Sequence, residues 1–387
     1  MQFTKKTFIA LTALAALSSC SLMSDSLEDC PQGLSVEFVY DYNVERANMF
    51  NDHVGSVTLY VYDQAGQLVR MQTEDNTASA QPLRNVNYHM TVDGLQPGEY
   101  RLLALANQRP YSSLSQLSGV RYLRDGQSGD ISNLKVTLTT LPGTQAATLI
   151  PQQLDTLWHG TLRSAQYTQN PLTRADNADD VALTAAQTVT VREHELTRCV
   201  VSMVRDTKRL HISLRQADDP GHCDIADYEI RIVDRNGQIL WDNAVDTDGT
   251  PDITYRPFDE WNTYYSRTAA KSYGSRPAGD DSVEESAHAD IDFNRLMLRQ
   301  GDSAVAPAML YINYRPDGHQ VAAINLPEIL QQGRGAFERY AYSPQEFLDR
   351  AYDYRLDFIL VGGQWNFIAL GIHSLPWTLR IQNVTLD

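Results

Sequence analysis

From Leu34 onward the chain alternates. Leu34, Val36, Phe38 and Tyr40 interleave with Ser35, Glu37, Val39 and Asp41, so an extended segment there has one apolar face. A period of two does not suit a helix, whose apolar stripe returns every 3.6 residues. The same alternation recurs at Val57–Val61, Leu134–Leu138, Leu210–Leu214, Tyr228–Ile232 and Arg355–Val361. With 20 Tyr and 5 Trp, and frequent Val, Thr and Ile, the expected fold is all-β.

Turn residues divide these strands. Asp63-Gln-Ala-Gly66 joins Val57–Tyr62 to Leu68-Val69 as a hairpin. Residues 72–85 and 108–130 read as loops. Pro97-Gly98 reads as a type II turn, with Gly98 at positive φ. Cys199–Val204 and Leu210–Leu214 read as a strand pair. Tyr228–Asp234, Gly237 and Gln238–Leu240 repeat the register of the hairpin at Val57, which suggests two related units in tandem. Ala269–Ala289 has almost no large aliphatics, so 264–290 is expected as a long loop. Two short helices are expected: Pro327–Gln332, and one capped by Ser343 with Pro344 and Glu346 behind it.

The start of the chain is of another kind. Lys5 and Lys6 precede an apolar run from Phe8 to Leu17 that is too short to span a bilayer, so residues 1–19 read as a secretory signal peptide. Leu17-Ser-Ser-Cys20 is similar to a bacterial lipobox, which implies cleavage before Cys20 and acylation of that residue. Residues 20–33 are then a lipidated tether, 34–193 an N-terminal β-sandwich and 194–387 a C-terminal one. The formal charge is −16 over 387 residues, and loss of the two lysines makes it more negative. Nucleic acid is therefore not an expected partner.

Four cysteines are present. Besides Cys20 they are Cys30, Cys199 and Cys223. Cys199 and Cys223 flank a strand-like segment and are candidates for a disulfide, with Cys30 left over. Three cysteines allow three pairings, and spacing does not choose among them. No Cys-x-x-Cys or His-x-x-x-His spacing is found, so no metal is expected. Asp246-Thr-Asp248-Gly249 resembles the start of a cation loop but lacks the distal Glu of an EF-hand. The five Trp suit core packing better than sugar stacking. With no nucleophile, phosphate-loop or dinucleotide motif, neither a cofactor nor an enzyme activity is expected. Unpaired sheet edges offer another mode of binding, the exchange of a strand between chains.

Several stretches in order resemble one family. They are the Cys20 lipobox; Cys30-Pro-Gln-Gly-Leu34 leading into Val36–Asn43; the Val57–Val69 hairpin; Phe293-Asn-Arg295-Leu-Met297; Gln345–Arg350; and Tyr354–Leu360 with the tail Trp377–Asn383. Together they resemble the fimbrillin-associated anchor proteins of Bacteroidales, the Mfa2/FimB group. The resemblance implies two transthyretin-like β-sandwiches. It also implies lipid attachment to the outer membrane through Cys20, exposure at the cell surface, and a fimbrial stalk subunit as partner. Stalk subunits of such fimbriae lose their first strand to an Arg-specific protease. Arg46 stands just after the first strand here, so cleavage at Arg46 would make the chain a stalk or tip subunit. A glycan-binding adhesin is the other alternative. Cys199 and Cys223 have no place in the family pattern.

Overall fold

A computed structural model describes residues 32–115, 120–139, 149–163, 187–266, 272–273, 283–299, 303–372 and 378–382. The first half carries strands β1 (Gly33–Val39), β2 (Ser56–Tyr62), β3 (Leu68–Asp75), β4 (Met90–Asp93), β5 (Gly98–Asn107), β6 (Tyr122–Asp125), β7 (Lys135–Leu138), β8 (Leu149–Ile150), β9 (Leu157–Leu162), β10 (Thr188–Val191) and β11 (Leu196–Arg205). Helices α1 (Phe50–His53) and α2 (Tyr111–Ser115) lie among them. The second half carries β12 (Lys208–Gln216), β13 (Tyr228–Asp234), β14 (Gln238–Leu240), β15 (Val245–Asp246), β16 (Ile253–Tyr255), β17 (Asp259–Tyr265), β18 (Ser272–Tyr273), β19 (Glu284–Phe293), β20 (Met309–Tyr314) and β21 (Gln320–Asn325). Helices α3 (Leu326–Leu330) and α4 (Pro344–Arg350) follow, then β22 (Asp353–Val361), β23 (Gln364–Ile372) and β24 (Thr378–Gln382).

The fold is all-β, with two sandwiches in tandem. The first is a sheet of order β3-β2-β5-β9-β11-β1-β4, with β10 beside β5. It wraps around its own core. Leu34, Val36 and Phe38 of β1 meet Val57, Leu59 and Val61 of β2, Leu102 and Ala104 of β5, and Val201 and Met203 of β11 in one cluster. The second sandwich sets a sheet of order β18-β17-β19-β12-β22-β23-β24 against one of order β21-β20-β13-β16-β8. Alternate residues of β12, β19 and β22 face those of β13, β16 and β20 across its core.

The two halves are interleaved. A fourth sheet, β15-β14-β7-β6, takes two strands from each, and β8 of the first half pairs with β16 of the second. Tyr60, Tyr62, Leu103 and Leu105, on the opposite face of β2 and β5, join the second core through this sheet. The chain crosses between sandwiches at Asp206-Thr207. The strand that follows residue 193, β11, pairs with β9 and β1 in the first sheet, and β12 pairs with β19 and β22 in the second.

Several local expectations are corrected. β11 and β12 do not form a pair, because Asp206-Thr207 directs them into different sheets. Asp63–Gly66 closes a hairpin, with the Gly66 N–H on the Asp63 carbonyl at 3.0 Å and Gly66 at φ +80°. The corresponding Asp234–Gly237 does not. β13 pairs with β16 and β20, whereas β14 leaves to pair with β7 and β15. Asp234 is bound by Arg299 at 2.5 Å, and the Asn236 amide donates to the Asn294 and Arg295 carbonyls at 3.2 and 3.1 Å. These tertiary contacts outweigh the local turn preference.

Gly98 begins β5 without a positive φ; the left-handed position in this loop is Gly94, at φ +74°. The second hairpin strand continues to Asp75, within the expected 72–85 loop. The expected 108–130 loop contains α2 and β6. Residues 284–290, expected as loop, belong to the ten-residue strand β19, whose inward positions include Ala287 and Ala289. Alanine gave that face no large-aliphatic signal. Both expected helices form, α4 with the Ser343 hydroxyl accepting from the Glu346 N–H; α1 and α2 are single turns that periodicity does not resolve. The polar stretch 164–180, which reads as a loop, falls outside the described residues.

Candidate functional site

The first strand is an interior strand. β1 runs parallel to β11 over seven pairs, from Gly33↔Leu196 to Val39↔Ser202, and antiparallel to β4 from Gly33↔Asp93 to Val36↔Met90. Gly33 is required here, since a Cβ would lie 2.0 Å from the Val92 carbonyl oxygen.

The residues after β1 then bind the second half. Tyr40 is fully buried. Its ring meets Trp158 edge-on at 5.9 Å and Tyr352 at 6.4 Å. Tyr42 is buried beneath the Arg350 guanidinium, 3.9 Å from its ring centroid. Arg350 is held by Glu346 at 2.8 Å and also covers Tyr342. Arg46 stacks on Tyr340 at 4.6 Å. Thus β1 closes the first sandwich, and the chain leaving it packs on the 331–350 region of the second.

The turn holding Arg46 is fastened from within. The buried Asn43 amide donates to the Tyr40 and Ala47 carbonyls at 2.9 and 2.8 Å. The Tyr40 N–H donates to the Asn48 side chain at 3.0 Å, and the Met49 N–H to the Tyr40 carbonyl at 2.9 Å. Arg46 itself has φ +54°, a left-handed conformation uncommon for a residue with a Cβ.

Behind this joint lies a buried ionic network. Arg295 and Asp349 form a bidentate pair at 2.7 and 2.8 Å. Arg295 also donates to the Asn243 carbonyl, and Lys208 donates to the Asp349 carbonyl at 2.8 Å. Burial opposes the charge on Arg295, but the Asp349 carboxylate more than offsets it and keeps the guanidinium cationic. Burial raises the Asp206 carboxyl and lowers the Lys208 ammonium, and each charge partly restrains the other's shift. Gln345 brackets the same region. Its amide donates to the Leu296 carbonyl at 2.9 Å, and its oxygen accepts the Leu298 N–H at 2.8 Å. The stretches 293–297 and 345–350, separate in the sequence, therefore meet. Both stretches carry the family resemblance, but nothing local in the sequence marks Arg295–Asp349 as a buried pair or points to Asp206, Lys208 and Tyr42. Those two stretches were the available signal.

The remaining candidates lie elsewhere. Cys20 and Cys30 are outside the described residues. Cys199 and Cys223 are both free thiols and are not brought together. Cys199 packs at the first core, and Cys223 lies inside the second with its Sγ 3.4 Å from the Leu214 carbonyl. Burial pushes the Cys199 thiol up to about 12, so it stays protonated. Asp246 accepts the Asp248 N–H within its own turn, and Asp252 pairs with Arg235 at 2.8 Å. Among the described residues no group of His, Cys, Asp and Glu is arranged to hold a metal ion. Trp158 is a core residue, Trp241 and Trp365 pack against the second core, and Trp261 stacks on His288 at 5.2 Å. Trp377 lies outside the described residues.

Known structures share this architecture. A candidate adhesin from Bacteroides thetaiotaomicron is 24% identical, with a TM-score of 0.66, over 91% of this chain and 99% of its own. Candidate polysaccharide binding proteins from the same species give 25% identity and a TM-score of 0.62, over 92% and 99%. The fimbrial anchor protein Mfa2 from Porphyromonas gingivalis gives 15% identity and a TM-score of 0.51, over 90% and 99%. These likenesses establish the fold. No curated protein sequence matches. The model of the fimbrillin-A associated anchor proteins Mfa1 and Mfa2 matches residues 27–383, nearly the whole chain, and the protein belongs to that family.

Proposed function

We propose that this protein is a lipoprotein that ties a fimbria to the outer membrane through acylated Cys20 and engages a stalk subunit by donor-strand exchange. Family membership gives it a fimbrial accessory role, association with fimbrial subunits and a place at the cell surface. The anchor reading rests on one observation, the double commitment of the N-terminal segment. β1 completes the first sheet, and Tyr40, Tyr42 and Arg46 pack on residues of the second half. A chain cut after Arg46 would lose both attachments. Proteases bind the scissile segment extended, as an added strand, whereas Arg46 sits in a tight left-handed turn with its guanidinium on Tyr340.

Cells expressing Cys20→Ala should shed filaments into the medium. Filaments that remain attached would overturn the anchor reading. Mass spectrometry of the mature N-terminus should find acylated Cys20; a start at Ala47 would instead favour the stalk or tip subunit. A second reading, a glycan-binding adhesin, draws on the likeness to candidate adhesin and polysaccharide-binding structures. Saturable binding on a glycan array would support it.

A further inference from the structure

A cleft of about 320 Å³ opens where the two sandwiches meet. Its walls come from the end of α1, the residue after β5, β9, the crossover at Arg205–Thr207, and the starts of β12 and β22. The walls are mostly polar and include His53, Gln108, Gln153 and Thr156. Clefts at domain junctions are common ligand sites, and about 300 Å³ is the small end of their range. A polar cavity of this size suits one hydrated ring rather than an apolar molecule.

Arg205 sets the charge preference. Its guanidinium lies 4.3 Å from the Tyr352 ring centroid and 5.9 Å from that of Trp158, and its Nε donates to the Thr207 carbonyl at 2.9 Å. The group is fixed in position, yet it forms no ion pair among the described residues. Half-buried charges are usually paired. The other charges of the cleft already are: Arg209 holds Asp292 with two bonds of 2.7 and 3.1 Å, and Asp353 faces His211 at 2.8 Å. Glu45 adds a negative field beside Tyr352. A planar guanidinium with its terminal nitrogens not held by a carboxylate matches a ligand carboxylate bidentately.

We propose that this cleft binds an acidic monosaccharide, with the sugar carboxylate on Arg205 and its hydroxyls on the lining side chains of Gln108, Gln153 and His53. The site is separate from lipid attachment, so it stands or falls independently of the anchor role.

The test is calorimetric titration of the purified full-length chain with D-glucuronate, N-acetylneuraminate and D-glucose. At least one acid should bind saturably, more weakly as salt rises, and glucose should bind at least about tenfold more weakly than the acid. Arg205→Gln should lower the affinity about 10- to 100-fold, as loss of a charge-assisted contact does. Glu45→Gln should raise it, and this variant keeps the test open if Arg205→Gln fails to fold. The proposal is overturned if neither acid binds, if glucose binds as well as the acids, if folded Arg205→Gln binds unchanged, or if Glu45→Gln does not tighten binding.

Discussion

A chain that begins at Ala47 should not hold the native fold of the first sandwich. It lacks seven apolar residues, Leu34, Val36, Phe38, Val39, Tyr40, Tyr42 and Val44, none more than 6% exposed. At roughly 1.5–3 kcal/mol for each buried side chain, their loss removes about 10–20 kcal/mol. Whole domains are stable by only about 5–15 kcal/mol. The loss is compounded on the backbone, because β11 loses one of its two partner strands and β4 loses the one strand it pairs with among the described residues. The assay compares chains 34–387 and 47–387 by circular dichroism and thermal unfolding. The shorter chain should lack the cooperative transition of the longer one. A synthetic peptide of residues 33–46, added during refolding, should restore it. The reasoning is refuted if chain 47–387 unfolds cooperatively within about 5 °C of the longer chain, since a loss of this size must shift the midpoint much further.

Three further outcomes follow from the joint and its surroundings. Asp349→Ala leaves Arg295 charged and buried without its carboxylate, and should cost about 3–5 kcal/mol in urea unfolding; a loss below about 1 kcal/mol would mean the pair is idle. His211 lies between Asp290 and Asp353; burial alone would lower it, but these hydrogen bonds outweigh burial and push it up to about 9. Its folded value exceeds its unfolded one, so its contribution is complete below about pH 6.5 and fades as pH rises towards 9; His211→Gln should flatten stability over that window, and an unchanged slope would count against the assignment. Cys199 and Cys223 are free, so both should alkylate in denaturant without reductant, and a non-reduced peptide linking them would contradict the structure.

How much of this was legible depended on the range of the interactions. The helix starting at Pro344 was legible because its stop and start signals are local: the Ser343 hydroxyl reaches only to Glu346. The hairpin at Asp63–Gly66 was legible for the same reason. Its apparent twin at Asp234–Gly237 was not, because Asn236 is held by residues 58 and 59 positions away. The joint was harder still. Lys208 and Asp349 meet across 141 positions, and a charge that will be buried looks no different in a sequence from one that stays in water.

The sequence by itself determined the all-β character, through a period of two that only extended chain can satisfy, and it suggested the family through stretches kept in order. Tertiary structure decided which strands share a sheet. Alternation specifies a buried face but names no partner along the sheet edge, so β14 could pair across to β7 and β11 could join β1 without any change in their patterns. It also decided that Arg46 sits in a fastened turn, stacked on Tyr340, and that Arg295 and Asp349 lie behind it, because desolvation and long-range pairing exist only once the chain has closed on itself.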